Sequence, residues 1–362
     1  MTRRLLEGSE AIAEAMIVAG CRFFAGYPMT PFTEVLEHMA DKLPAVGGVC
    51  MNAESELEAV GMAWGAAATG TLAATGSTGQ GLSLMQESLA EMTLARLPLV
   101  VLNMARAQGD YFQATRGGGH GDYRHLVLAP MDVVEAVRLT QVAFHLAARW
   151  RNPVLVFGDY YLAHTAQSVE VEALPLEDLP ASDWALDGSS GGSGQAKLVS
   201  PLGSAKQRDR VGYDLAQHYQ ECVVATAEMV AGVTPMAETG FTDGAEVVVV
   251  AFGTPGRYVR AAVGQLRAEA VPVGFVRPIS LFPFPSAVVA AAAESARAVA
   301  VYENNQGQMI DDVRLAVLGR APVHFIGGLS LDSSGFGIAP DLDVNVIRGR
   351  IQRVVAESEG PR

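Results

Sequence analysis

Leu99-Val100-Val101-Leu102-Asn103-Met104 is apolar at almost every position rather than at every second one. Such a strand has no face to give to water, so it belongs inside a sheet covered on both sides. Val247-Val248-Val249-Val250-Ala251-Phe252 repeats the pattern late in the chain. Both runs are too short to cross a bilayer. Around the first run, strand patterns alternate with segments of helical period. Strands are predicted at Arg22–Ala25, Gly48–Asn52, Thr71–Thr75, near Leu126 and at Val154–Phe157. Helices are predicted over Glu7–Ala19, from Pro31 to Leu43, from Glu54 to Thr69, up to Arg96 after a glycine-rich turn, and over Met131–Trp150. Gly20 reads as a C-cap, and Thr30 as the N-cap of the Pro31 helix. The alternation implies an α/β fold with a doubly wound parallel sheet.

The pattern breaks between residues 167 and 242, where Asp187–Gly194 is a low-complexity Gly/Ser stretch and Arg208–Val230 has room for one helix. A second series follows, with strands at Val247–Phe252, Val273–Phe275, Ala298–Val301 and Val323–Phe325, and a terminal helix from Leu342 to Ala356. The 362 residues therefore divide into a first domain (1–166), a linker (167–242) and a second α/β domain (243–362).

Charge and cysteines exclude several function classes. A net charge of −13 lacks the basic footprint of a nucleic-acid binder. The three cysteines, Cys21, Cys50 and Cys222, form no CxxC pair, which argues against a zinc or iron–sulfur site built by this chain alone. Their number and spacing suit a reducing cytosol. The first residues carry charge and a glycine where a signal peptide needs an apolar stretch. A cytoplasmic protein with no membrane partner is expected.

Gln108–Arg124 is rich in glycine and polar side chains, a composition that opposes a packed helix or central strand. A long polar loop between core elements is more often a site than a spacer. Within it, His120 and Asp122 read either as an acid–base pair or as a loop anchor, while His145 and His164 read as structural. Glu56 stands at a helix start, where a carboxylate complements the helix dipole. The small residues Ala59, Gly61, Ala63, Gly65, Ala66, Ala67 and Ala68 after it would let another chain or a flat ligand approach. Gly76-Ser77-Thr78-Gly79-Gln80-Gly81 is neither a P-loop nor the GxGxxG fingerprint. Arg106 follows the Leu99 strand at its C-terminal end, where ligands sit in open α/β sheets, and its guanidinium fork suits a carboxylate.

Taken together, Gly26-Tyr27-Pro28-Met29-Thr30-Pro31, Glu54-Ser55-Glu56, the run ending Ser83-Leu84-Met85-Gln86-Glu87, Gln108–Thr115, Arg277–Pro285 and Glu303–Met309 resemble the alpha subunits of the 2-oxoacid:ferredoxin oxidoreductases. The resemblance implies a thiamine-diphosphate pyrimidine-binding domain followed by a transketolase C-terminal-like domain. It implies oxidative decarboxylation of a 2-oxoacid with CoA to acyl-CoA, CO2 and reduced ferredoxin. Glu56 would bond the aminopyrimidine ring, with Tyr27, Pro28, Gly79 and Gln80 also at the cofactor. Thr30 and Arg106 would contact the 2-oxoacid.

Two departures stand out. The family usually has proline in place of Gln80, and a glycine- and proline-rich insertion between the Arg106 position and Gln108. The Gly-Asp-Gly metal–diphosphate motif is also missing, since Phe157-Gly158-Asp159-Tyr160 lacks its second glycine. Thiamine diphosphate with Mg2+ would thus be shared with a partner beta subunit, this chain supplying no metal ligand. Iron–sulfur clusters would lie in partner subunits. The Gln108–Thr115 stretch is nearest to the 2-oxoisovalerate and 2-oxoglutarate types. The second-domain motifs are expected to serve subunit packing and CoA access. A split non-redox thiamine lyase or transketolase-like enzyme, and a non-catalytic scaffold, are the alternatives.

Overall fold

The computed structural model describes residues 3–180, 183–186, 215–329 and 342–358. In chain order the first part runs β1 (Arg4–Glu7), α1 (Gly8–Val18), β2 (Phe23–Gly26), α2 (Thr33–Lys42), β3 (Val49–Asn52), α3 (Glu56–Ala68), β4 (Ala73–Ser77), α4 (Gly79–Leu94) and β5 (Leu99–Ala105). Then come α5 (Tyr111–Thr115), β6 (Leu126–Leu128), α6 (Val133–Trp150), β7 (Pro153–Asp159), α7 (Tyr160–His164) and β8 (Ala166–Val169). The second part holds α8 (Leu215–Gly232), β9 (Ala237–Gly240), β10 (Val247–Val250), α9 (Gly253–Ala268), β11 (Val273–Pro278), β12 (Ser280–Phe282), α10 (Ser286–Ala293), β13 (Ala298–Val301), α11 (Met309–Val317), β14 (Val323–Phe325) and α12 (Val344–Ser358). The Asp187–Gly194 stretch and the first residues of the Arg208 helix lie outside the described residues.

The large sheet has the order β12-β6-β7-β5-β4-β2-β3 and is parallel throughout except for β12. As its composition requires, β5 is buried along its whole length. The second sheet, β14-β13-β10-β11-β9, is parallel apart from β9. Three features were not anticipated. The strands β1 and β8 pair antiparallel at the rim; being short and largely exposed, they leave no hydrophobic pattern to read. Strand β12 crosses from the second part to extend the first sheet, so Arg277–Pro285 joins the two parts of the chain. Helix α8 docks back on the first part, where His218 and Cys222 both donate to the Leu94 carbonyl.

Helix starts also differ from the sequence reading. α2 begins at Thr33, because the Phe32 N–H closes a turn onto the Met29 carbonyl ahead of the helix. Thr30 therefore caps nothing. α3 begins at Glu56 with Ser55 as N-cap: the Ser55 hydroxyl accepts the Glu58 N–H, and the Glu58 carboxylate accepts the Glu54 N–H. This reciprocal arrangement is a variant of the capping box. Gly20 does end α1, at φ +95°. Beneath the loop after β2, the Phe32 ring occupies the space that a Cβ at Gly26 or Gly76 would fill, so both positions demand glycine.

Two polar clamps hold the parts together. Arg277, 2% exposed, places its guanidinium on both Glu135 oxygens (2.8 and 3.0 Å) and on Glu238 (2.8 Å). Gln108 is buried and donates to the Phe252 carbonyl (3.0 Å) while accepting the Asn304 N–H (2.9 Å). Tyr111 packs on Phe252 with ring centroids 5.5 Å apart, and one apolar cluster runs from Val101 and Phe157 through Phe252 to Val299.

Candidate cofactor and substrate site

In the large sheet the chain leaves β2 toward β3 on one side, then returns to lay β4 on the other side of β2 and β5 beyond it. The crevice at the C-terminal ends of β2 and β4 is thus the switch point where open α/β sheets bind ligands. Four loops reach it. The β2 loop carries Tyr27, Pro28 and Thr30, the β3–α3 turn brings Glu56, the β4–α4 turn brings Ser77 to Gln80, and β5 ends in Arg106.

Glu56 is only 3% exposed. The Ser77 hydroxyl donates to its Oε1 at 2.7 Å, and no other described residue bonds its carboxylate. A Cβ at Gly81 would collide with Ser77 Oγ and Glu56 Oε1, so the first turn of α4 is glycine where the carboxylate lies. One oxygen is therefore held and the other is left without a partner.

On the other side of the α4 N-terminus lies a cavity of about 470 Å3. Gly79, Gln80 and Arg106 line it from the first part, Asn304, Asn305 and Gln308 from the second. Arg106 donates Nε–H to the Thr30 carbonyl (3.3 Å) and forms no ion pair among the described residues. The Thr30 side chain is exposed, Tyr27 is half-buried and Pro28 is exposed. The cavity thus gathers Arg106, Gly79 and Gln80, with Thr30 attached through its backbone. Glu56 sits across the α4 turn, and Tyr27 and Pro28 do not line the cavity.

Sequence reasoning assigned no role to Asp110, which also lines this cavity. Its carboxyl accepts from Asn103 (3.2 Å) and Gln113 (3.1 Å), and a Cβ at Gly79 would collide with it. Burial pushes Asp110 above the ordinary carboxylate range, opposed by Asn103, Gln113 and the charge of Arg106. Ser77 was missed too; only its place one turn ahead of Gly81 could have signalled it.

The polar loop proved partly helical, with a single 3-10 turn at Gln108–Asp110 leading into α5. Docking explains the departure from composition: the Phe112 N–H bonds Gln308 Oε1, the Tyr111 hydroxyl donates to Asp312, and Arg116 pairs with Asp312. The glycines beyond wrap the Tyr123 hydroxyl, which accepts from Gly118 and Gly119 and donates to Gln86. His120 pairs with Glu91 (3.2 Å), which anchors the loop, and Asp122 is exposed. His164 stacks on Tyr160. Asp159 accepts from the Leu162 N–H and the Thr254 hydroxyl, both at 2.9 Å, and is occupied in joining the two parts. Glu303 is fully buried and accepts the N–H groups of Gln308, Met309 and Ile310, shaping the turn that carries Asn304 and Asn305. No helix among the described residues is long and apolar enough to cross a membrane.

A parallel α/β sheet with a buried helix-start carboxylate at its switch point defines the class of thiamine-diphosphate pyrimidine-binding domains. Comparison with known proteins agrees and goes further. Residues 14–183 match the thiamine-diphosphate-binding family of pyruvate flavodoxin/ferredoxin oxidoreductases, and residues 245–333 match the pyruvate:ferredoxin oxidoreductase core domain II. A ketoisovalerate oxidoreductase subunit VorB from Methanothermobacter thermautotrophicus is 35% identical over 326 residues, covering 87% of this chain and 90% of its own length. A 2-oxoglutarate synthase subunit KorA from Methanothermobacter marburgensis is 33% identical, covering 89% of this chain and 93% of its own. The chain belongs to the 2-oxoacid:ferredoxin oxidoreductase family.

Two solved structures share its fold. The 2-oxoglutarate:ferredoxin oxidoreductase from Magnetococcus marinus, with 2-oxoglutarate, coenzyme A and succinyl-CoA bound, superposes with a TM-score of 0.80 at 24% identity. The match covers 98% of this chain, which spans 65% of that one. A split-gene transketolase, an inactive beta4 tetramer, aligns at a TM-score of 0.58 and 12% identity over 96% of this chain and 97% of its own.

Proposed function

We propose that this chain is the alpha subunit that supplies the pyrimidine half of a shared thiamine-diphosphate site, oxidising 2-oxoisovalerate or 2-oxoglutarate. The observation that carries the reading is Glu56, a buried carboxylate with one oxygen held by Ser77 and the other unpartnered. That geometry fits a group presenting a single ring nitrogen to the free oxygen. When bound, thiamine diphosphate supplies the carbon nucleophile and the electron sink that decarboxylation of a 2-oxoacid needs. Glu56 holds and exchanges the proton at the pyrimidine nitrogen, with Tyr27, Pro28, Gly79 and Gln80 around the ring.

Arg106 and Thr30 orient the substrate carboxylate. Arg106 forms no ion pair among the described residues, so its charge stays available to an incoming carboxylate. The names of the relatives, ketoisovalerate oxidoreductase and 2-oxoglutarate synthase, support the substrate class.

Mg2+ and the diphosphate belong to a partner beta subunit, as do the iron–sulfur centres that pass electrons to ferredoxin. The engagement of Asp159 with Thr254 supports that division. So does the apolar surface beside Glu56, where Val49, Met51, Leu57 and Met62 are exposed and a shallow cavity of about 680 Å3 runs past Gly65. CoA enters from the side of the second domain, and the complex works in the cytoplasm.

The test is the copurified complex, assayed for cofactor content and for CoA-dependent dye reduction with each 2-oxoacid. Glu56→Gln keeps assembly and cofactor but lowers turnover by roughly 10²–10⁴-fold. Near-normal turnover would overturn the reading.

A further inference from the structure

The β4 strand ends in a serine that still pairs with Asn103 on β5. Ser77 is 2% exposed, lies at the C-terminal end of β4, and spends its hydroxyl proton on Glu56 Oε1 at 2.7 Å. That length falls within the range of an O–H donating to a carboxylate, the charge-assisted class that is roughly twice as strong as a neutral bond. On the opposite side, Gly81 leaves space that only these two side chains enter. Glu56 itself projects from the first turn of α3, whose start is fixed by the Ser55 cap. The carboxylate is thus fixed at its backbone by one serine and at its tip by another.

We propose that Ser77 is a positioning residue for Glu56, fixing the plane of its carboxylate and so where the free oxygen points. The inference rests on the reading of Glu56 given above. Without the Ser77 hydroxyl the plane of the carboxylate is no longer held about its terminal bond, and the oxygen facing the ring nitrogen loses its alignment. Proton exchange at the cofactor then slows, while carboxylate recognition by Arg106, across the α4 turn, is untouched. Ser77 touches neither cofactor nor substrate in this account.

The experiment uses the assembled holoenzyme. Its primary readout is the rate at which the thiazolium C–H of bound thiamine diphosphate exchanges with deuterium, followed by acid quench and proton NMR. Ser77→Ala should slow this exchange and kcat by roughly 10- to 100-fold, the loss of one hydrogen bond to a charged group. The KM for the 2-oxoacid should stay within about twofold, as expected for an interaction outside substrate binding. Cofactor content and melting temperature should match the unmodified complex.

Gly81→Ala is the second variant. Its methyl group would collide with both the Ser77 hydroxyl and the Glu56 carboxylate and push the pair apart while leaving both groups in the chain, and the same slowing is expected. Glu56→Gln is run alongside. If Ser77→Ala exchanges at the normal rate while Glu56→Gln does not, the positioning role is wrong and the reading of Glu56 stands. If Glu56→Gln also exchanges normally, that reading fails and takes the role of Ser77 with it.

Discussion

Replacing Gln108 by leucine tests how the two parts of the chain hold the candidate site. The Gln108 side chain bonds two main-chain groups of the second part, the Phe252 carbonyl at 3.0 Å and the Asn304 N–H at 2.9 Å. Phe252 and Asn304 are themselves buried, at 0% and 1% exposure. Leucine has nearly the same volume but can satisfy neither group. Each stranded group costs about 1–3 kcal/mol, so the loss should be about 2–6 kcal/mol. For a chain of 362 residues that corresponds to a melting point lower by about 3–8 °C.

Alanine should cost less than leucine, because the space it leaves admits a water that can bond both groups. The main-chain link between the Gln108 N–H and the Asn304 carbonyl survives either change, so the loop should loosen without detaching. Since Gly109, Asp110 and Gln113 line the cavity, the KM for the 2-oxoacid should rise while cofactor content holds. Calorimetry of both variants, with steady-state kinetics on the complex, makes the check. A melting point within about 1 °C of the unmodified protein would refute the reasoning.

Arg277→Met takes its close cation from Glu135, while Glu238 keeps Arg260, and should cost about 3–5 kcal/mol, read by denaturant unfolding, whereas exchanging Arg277 and Glu135 together for apolar residues should recover much of that loss. Asp159→Asn carries a pH signature. Burial raises the Asp159 carboxyl, against the Leu162 N–H and Thr254 hydroxyl that favour its charge, so the native state keeps this proton to higher pH than the unfolded chain. Stability then falls as pH climbs from the ordinary carboxyl range, about 4, through the raised value. Asparagine does not titrate, so the melting-point difference in its favour should be absent near pH 4 and widen toward neutrality; a flat difference would contradict this. Arg106→Ala should lower kcat/KM for every 2-oxoacid by roughly 10- to 150-fold with thiamine content unchanged, and kinetics on pyruvate, 2-oxoisovalerate and 2-oxoglutarate would reveal any selective effect.

The sequence by itself determined the parallel sheets, because the runs from Leu99 and Val247 are apolar throughout and have only a doubly covered sheet to enter. It also put Glu56, Thr30, Gln80 and Arg106 at the ends of neighbouring strands, since the order of strands and turns is local information. Tertiary structure decided what those residues touch. Glu56 meets Ser77, 21 positions away in the chain, because β4 lies beside β2 and the first turn of α4 is glycine. The polar stretch after Arg106 became short helices because Gln308 and Asp312, almost 200 positions away, satisfy its polar groups. Arg277 is the buried clamp between parts, and β12 completes a sheet that the periodicity of its own neighbourhood gives no sign of. Backbone preference and hydrophobic period act over a few residues and can be read in order. Pairing of buried polar groups acts across the fold, and it is settled only when distant segments meet.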